Sequence, residues 1–182
     1  MPFLWTYSSL SRKSLPANKI INTQITYRKW SQKLKTYPPL EDKLRNLFRS
    51  QKLGVLATQQ KEKPYTSLVA FASSDDLHQI VFATTKATRK FSNISSNSNV
   101  SMFIDNRSNK VVDFRKAIGV TAVGSVRQIR KNRNNRLMRL YLKKHPQLES
   151  FLASSSCAFI CMDVKSFYVV ERFQNVTEIH LE

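Results

Sequence analysis

Between Leu53 and Thr84 three runs rich in apolar and β-branched residues follow one another with only a few residues between them. Leu53 to Thr58, Pro64 to Ala72 and His78 to Thr84 read as strands, with turns at Lys61 to Lys63 and Ser73 to Leu77. Parallel neighbours need a crossover of about a dozen residues or more, so this spacing dictates an antiparallel meander. The remaining pattern extends it. Asn99 to Asp105 reads as a fourth strand, Asn106-Arg107-Ser108-Asn109 as a polar loop, and Ile118 to Ile129 as a long fifth strand whose Gly119 and Gly124 suit bends or bulges. Arg130 to Lys144 reads as a helix that buries Leu137, Leu140, Tyr141 and Leu142. A short helix over Leu148 to Leu152 follows, then two strands, Cys157 to Met162 and Phe167 to Phe173. The expected fold is mainly β with flanking helices: six or seven mostly antiparallel strands closed into a small barrel.

Two segments are placed by charge and periodicity. Residues 1–39 form a basic extension: the first forty residues hold seven Lys or Arg and no acidic residue, and Tyr37-Pro38-Pro39 makes a stiff boundary. Such a composition suits either a flexible arm or an organelle, mitochondrial-type, targeting segment; without targeting the expected location is cytoplasmic. The domain spans residues 40–182. It opens with Leu40, Leu44, Leu47 and Phe48 on one helix face, and Glu41 and Asp42 favour the first turn. Cys157 and Cys161 fall on one face of a strand, about 13 Å apart by strand rise, too far for a disulfide.

The segment Ala83-Thr84-Thr85-Lys86-Ala87-Thr88-Arg89-Lys90-Phe91 joins the third strand to a short helix. Thr88 is the natural N-cap, and Phe91 and Ile94 supply the buried side. Arg89 and Lys90 then fall in the first turn, where the helix dipole disfavours cations by a few tenths of a kcal/mol. An anion there reverses the penalty. Backbone amides, a threonine hydroxyl and the charges of Lys86, Arg89 and Lys90 could surround a phosphate. The plainer alternative is that these side chains point into water.

The net charge of +18 favours anionic partners without specifying which. From Arg127 to Lys144 there are eight basic residues and no acidic one, a stripe that suits either a polyanion such as nucleic acid or a solvated helix face. The chain contains no Gly-x-Gly-x-x-Gly or P-loop pattern, and its three glycines disfavour the usual nucleotide-binding α/β folds. No Ser, His and Asp set or paired carboxylates stand out for hydrolytic chemistry.

Leu56-Ala57-Thr58, Pro64-Tyr65-Thr66-Ser67-Leu68-Val69, Phe82-Ala83-Thr84 with Thr88-Arg89-Lys90, and Asn99-Val100-Ser101 occur in the order and spacing of one family. Over residues 41 to 175 the chain resembles the FMN-binding split-barrel flavoproteins related to pyridoxamine 5'-phosphate oxidase. The resemblance implies a six-stranded antiparallel Greek-key split barrel and a homodimer with FMN between the subunits. It places the phosphate clamp on Thr88, Arg89 and Lys90. The strand beneath the flavin ring falls on Ser67, Leu68 and Val69, and the end of the next strand on Ala83 and Thr84. The chain departs from the true oxidase at Ser67, Ala72 and Gly119, where the oxidase carries arginine, lysine and glutamine. Phe173-Gln174-Asn175-Val176 also lacks the oxidase's Trp- and Arg-rich stretch. Lys86 could replace the lost arginine charge.

The resemblance therefore implies a flavin-dependent oxidoreductase that transfers two electrons between FMN and a small molecule or nicotinamide, rather than an oxidase of pyridoxamine phosphate. Asn106 and Arg107 are candidates for the substrate side, with a polar turn as their alternative role. A non-catalytic carrier of flavin, deazaflavin or haem on the same fold is a second reading, with His145 and His180 as the available haem ligands. A nucleic-acid-binding protein is the third.

Overall fold

The computed structural model describes residues 26–29, 38–132, 134–172 and 175–181. Its elements, in chain order, are β1 (Thr26–Lys29), α1 (Pro38–Ser50), β2 (Leu53–Gln60), β3 (Lys63–Ser73), β4 (Gln79–Thr85), α2 (Arg89–Ser96), β5 (Asn99–Asp105), α3 (Asp113–Lys116), β6 (Ile118–Ile129), α4 (Arg136–Lys144), α5 (Glu149–Ala153), β7 (Cys157–Glu171) and β8 (Asn175–His180). A single 3-10 turn, Pro146–Leu148, links α4 to α5.

Six strands close into an antiparallel barrel in the order β2, β3, β4, β7, β6, β5 and back to β2. Alternation along each strand sends one set of side chains inward. Leu56, Phe71, Phe82, Met102, Val120, Ile160 and Phe167 fill the interior with essentially no exposure. Helix α1 closes one end: Phe48 meets Phe71 and Phe167 edge-on, with both centroid separations 5.8 Å. A second apolar layer lies outside the barrel, where Met138, Tyr141 and Leu152 cover Ala72, Val81, Cys157, Phe159 and Cys161. This double burial explains why β4 and the first half of β7 are apolar on both faces.

β7 corrects the expectation of two separate strands, Cys157 to Met162 and Phe167 to Phe173. One fifteen-residue strand runs through the polar segment Asp163 to Ser166. It pairs with β4 over its first half, with β8 over its second, and with β6 along most of its length. The register with β6 slips between Val123 and Gly124, leaving Lys165 as the extra residue of a bulge. Gly124 belongs to that bulge because a Cβ there would stand 2.1 Å from the Asp163 carbonyl oxygen.

The C-terminal strand β8, antiparallel to β7, was not expected from its sequence. Thr26–Lys29, within the basic extension, forms a parallel strand on its outer edge. The rest of the expected arm or targeting segment lies outside the described residues up to Pro38. The helix expected from Arg130 begins only at Arg136. Asn132 and Asn135 turn their side-chain oxygens onto the amides of Asn134 and Leu137, so the asparagines cap and turn the chain instead of continuing a helix. No described helix is long and apolar enough to cross a membrane. The two cysteines are free and buried.

Candidate functional site

The barrel is split between β3 and β4. These strands pair only through Phe71, Ala72 and Ser73, opposite Phe82, Val81 and Ile80, and then diverge. β3 remains bonded to β2 from Lys63 to Ala70, so its other edge has no strand partner among the described residues there. The edge offers backbone N–H and C=O groups along the Thr66 to Ala70 stretch. The segment that follows β4 turns back at this gap, and α2 packs on β2 and β3.

The turn into α2 is fixed by threonines. Thr88 has extended backbone angles and accepts from the Phe91 amide at 3.4 Å, as an N-cap does. Its hydroxyl donates to the Thr85 carbonyl at 2.8 Å and lies 3.0 Å from the Thr84 hydroxyl. Thr84 is itself buried at the end of β4. The cap therefore sits on a fixed base, and helix geometry aims the first-turn amides of Arg89 and Lys90 out of the turn. The first turn contains no acidic residue. The Arg89 guanidinium lies 4.9 Å from the centre of the Tyr65 ring, so it reaches from α2 back to β3. Lys86 is exposed, and its amide is bound to the Ser156 carbonyl at 2.9 Å.

The strand expected beneath a flavin ring alternates its side chains, with Ser67 and Val69 on the inner side and Leu68 on the outer. Val69 points into the core, Leu68 is 62% exposed on the outside, and the buried Ser67 hydroxyl has no hydrogen-bond partner. Beneath α2, Asn93 is fully buried and its amide nitrogen donates to Thr58 at 2.9 Å, while its Oδ1 is unpartnered. Unpartnered buried polar atoms are costly, about 1–3 kcal/mol each, and ordered water or a ligand commonly satisfies them. Tyr65 and Asn93 were missed in the sequence reading. A polar residue between Phe91 and Ile94, on the inward side of α2, is the signal that could have marked Asn93.

Thr84, Thr88, Arg89 and Lys90 thus come together at one end of the split, with Ala83 just before them on β4 and Ser67 to Val69 across it on β3. Asn106 and Arg107 do not join them within one chain. They lie beyond the far end of β5, six residues past Val100, about 20 Å by strand rise. Asn106 Oδ1 accepts from the Ile118 amide at 2.8 Å, and Arg107 pairs with Asp105 at 3.4 Å. Both complete the turn that leads toward β6.

The two histidines considered for haem are also engaged. His145 is 1% exposed, and its Nε2 lies 2.8 Å from the Phe71 carbonyl. Burial holds its pKa below the ordinary imidazole value, so the ring is neutral and donates there. His180 pairs with Glu178 at 3.0 Å.

A six-stranded split barrel with a basic helix N-terminus at its gap defines a class of small β-barrel proteins, and sequence comparison names the family. The profile of the Pyridoxamine 5'-phosphate oxidase family matches residues 40–171, and the chain belongs to that family. No curated protein matches it. Among solved structures, it is similar to a haem-binding protein from Mycobacterium smegmatis, with a TM-score of 0.68 and 16% identity; the match covers 79% of this chain and 58% of the other. A FAD-binding protein from Mesorhizobium loti gives 0.54 and 18%, covering 70% and 89%. The haem storage protein of Vibrio cholerae gives 0.58 and 13%, covering 71% and 94%. At such identities the likeness establishes the fold.

Proposed function

We propose that the protein binds FMN at the β3–β4 split and works as a flavin-dependent oxidoreductase on a small substrate. The observation that carries this reading is the Thr88 cap, locked onto Thr84 and Thr85, with Arg89 and Lys90 and no acid in the same turn. A cationic first turn is destabilising alone and becomes favourable around a phosphate.

Thr88, Arg89, Lys90 and the first-turn amides would hold the phosphate, with Lys86 adding charge at the rim. The free edge of β3 at Ser67 to Val69, including the orphaned Ser67 hydroxyl, would take the polar edge of the ring, beside Ala83 and Thr84. Bound flavin supplies two-electron redox chemistry, and the chain supplies position and field. The absence of an arginine at Ser67 argues for a substrate other than pyridoxamine phosphate.

A homodimer fits the same reading. Leu68, Val55, Phe103, Thr121 and Tyr168 stand opposite one another across neighbouring strands of the outer surface. Leu68, Tyr168 and the nearby Leu53 are exposed. An apolar stripe of this kind on a barrel wall suits a second copy of the chain. In a dimer, Asn106 and Arg107 could approach the partner's flavin.

The test is a fluorescence titration of FMN into the full chain, repeated with Arg89→Gln and Lys90→Gln. Losing a charge-assisted contact to phosphate costs about 1.5–3 kcal/mol, so each variant should weaken binding by about tenfold or more. FMN uptake that is absent, or unchanged in both variants, sinks the reading.

A further inference from the structure

The cations at the head of α2 do not form an isolated cluster. The Lys86 amide is bonded to the Ser156 carbonyl at 2.9 Å, and the Ser154 and Ser156 hydroxyls lie 2.8 Å apart. From the opposite side, the Lys131 ammonium donates to the Ser154 carbonyl. One serine turn therefore joins the α2 head to the segment leading into α4. Arg130 just before Lys131, and Arg136, Arg139 and Lys143 beyond it, are all exposed. Arg136, Arg139 and Lys143 follow helical spacing along one side of α4, a helix about 13 Å long. The band thus runs over three elements without an acidic residue of its own. Of the nearby carboxylates, Asp163 is bound to Arg127 at 2.9 Å, Asp76 feels the Arg136 charge, and Glu149 borders a shallow groove with Arg139 and Lys143.

We propose that this band, from Lys86 through Lys131 to Lys143, binds the phosphate backbone of nucleic acid without reading its sequence. Like charges along one surface repel one another, and a chain of phosphates can meet cations spread over three elements, where one phosphate at α2 cannot. The apolar residues of α4 favour nucleic acid over a lipid surface. Met138 and Tyr141 are spent on the barrel, and Leu137, Leu140 and Leu142 are partly buried against the same cluster, so no wide apolar face remains to enter a membrane. The band contains no exposed aromatic residue for base stacking, which makes the interaction electrostatic and independent of sequence.

Fluorescence anisotropy with a labelled single-stranded RNA of mixed sequence, measured across a salt series with the full chain, tests this. Each phosphate neutralised contributes about 0.7 to the slope of log K against log salt for single strands. Arg130→Gln, Arg136→Gln and Lys143→Gln together should therefore make the slope shallower by about 2. A control triple of equal charge, Lys110→Gln, Arg115→Gln and Lys116→Gln, should leave it nearly unchanged. Should the first triple fail to fold by circular dichroism, Lys143→Gln alone should lower the slope by about 0.7. Equal losses from both triples would show that only net charge matters and overturn the proposal. So would a slope that the band variants leave intact, no binding at low salt, or sedimentation with phosphatidylserine vesicles while the RNA stays free. RNA binding is read independently of flavin content, so its outcome is separate from that of the FMN titration.

Discussion

Replacing Gly124 by alanine should damage the barrel more than its single added methyl group suggests. The new Cβ would sit 2.1 Å from the Asp163 carbonyl oxygen, 3.0 Å from its carbonyl carbon and 3.0 Å from the Val164 Cα. All three are backbone atoms on β7, so no side chain can swing aside. Relieving the contact means moving β6 and β7 apart by about 1 Å, against a normal strand spacing of about 4.8 Å. Two or three ladder hydrogen bonds stretch with that movement, each with a net value of about 0.5–1.5 kcal/mol. With the packing lost on both sides, the cost is about 3 kcal/mol, or about 6–12 °C in Tm for a domain of this size. Gly119→Ala provides the comparison. There the Cβ would meet only the outer edge of the Phe103 ring at 3.0 Å, and that side chain can rotate. Thermal unfolding of the two variants side by side should therefore separate them by several degrees. A Gly124→Ala melt within about 2 °C of the parent, or below which Gly119→Ala falls, would refute the close-approach argument.

Other expected outcomes concern groups that link the outer layer to the barrel. Burial pushes the Asp163 carboxyl up, but hydrogen bonds from Arg127 and Gln79 outweigh it and leave the pKa below the usual value. The stability this contributes is present above the unfolded carboxylate pKa near 4 and is lost as pH falls through the lower folded value, so parent and Asp163→Asn melts should converge between about pH 5 and pH 3. Lys144 donates to the Phe48 carbonyl at 2.6 Å and stands over the Phe71 ring at 3.9 Å, and burial and the nearby Lys52 charge depress its pKa to about 8. Its unfolded form therefore binds more protons between about pH 8 and pH 10, and the parent should gain stability over Lys144→Met across that interval in denaturant titrations. His145→Ala removes the donor from the buried Phe71 carbonyl and should cost about 1–3 kcal/mol, read as a lower urea midpoint with an unchanged m-value.

Much of the barrel is legible because its strands announce themselves locally. Asn99–Asp105 and Ile118–Ile129 keep their expected limits, and Thr88 caps α2 as its position before Phe91 and Ile94 implied. The misses have physical causes. Asp163 to Ser166 interrupts an apolar run, yet the backbone stays extended because β7 changes partners there, and sequence carries no record of partners. β8 buries Ile179 among polar residues, too little to mark a strand that gains its order from β7. Asn132 and Asn135 suppress the start of an otherwise helical segment through side-chain bonds. The split itself leaves no signature in β3, since the same residues would serve with one neighbour or two. Asn106 and Arg107, singled out as a polar loop after a barrel strand, bond within one chain to Ile118 and Asp105, and their substrate-side role rests on the proposed dimer.

The fifteen residues of β7 form the seam of the ring, and they come from the last part of the chain. Gln79 on β4 meets Asp163 across that seam, eighty-four positions later. A chain emerging from the ribosome can hold the β2–β3 hairpin and pair β5 with β6, yet it keeps an open trough, with Phe71, Phe82 and Met102 exposed to water, until the seam residues arrive. Closing so distant a contact is entropically slow. That delay makes the unsealed trough the stage of synthesis at which a chaperone, or a second unfinished copy, has the most to grip.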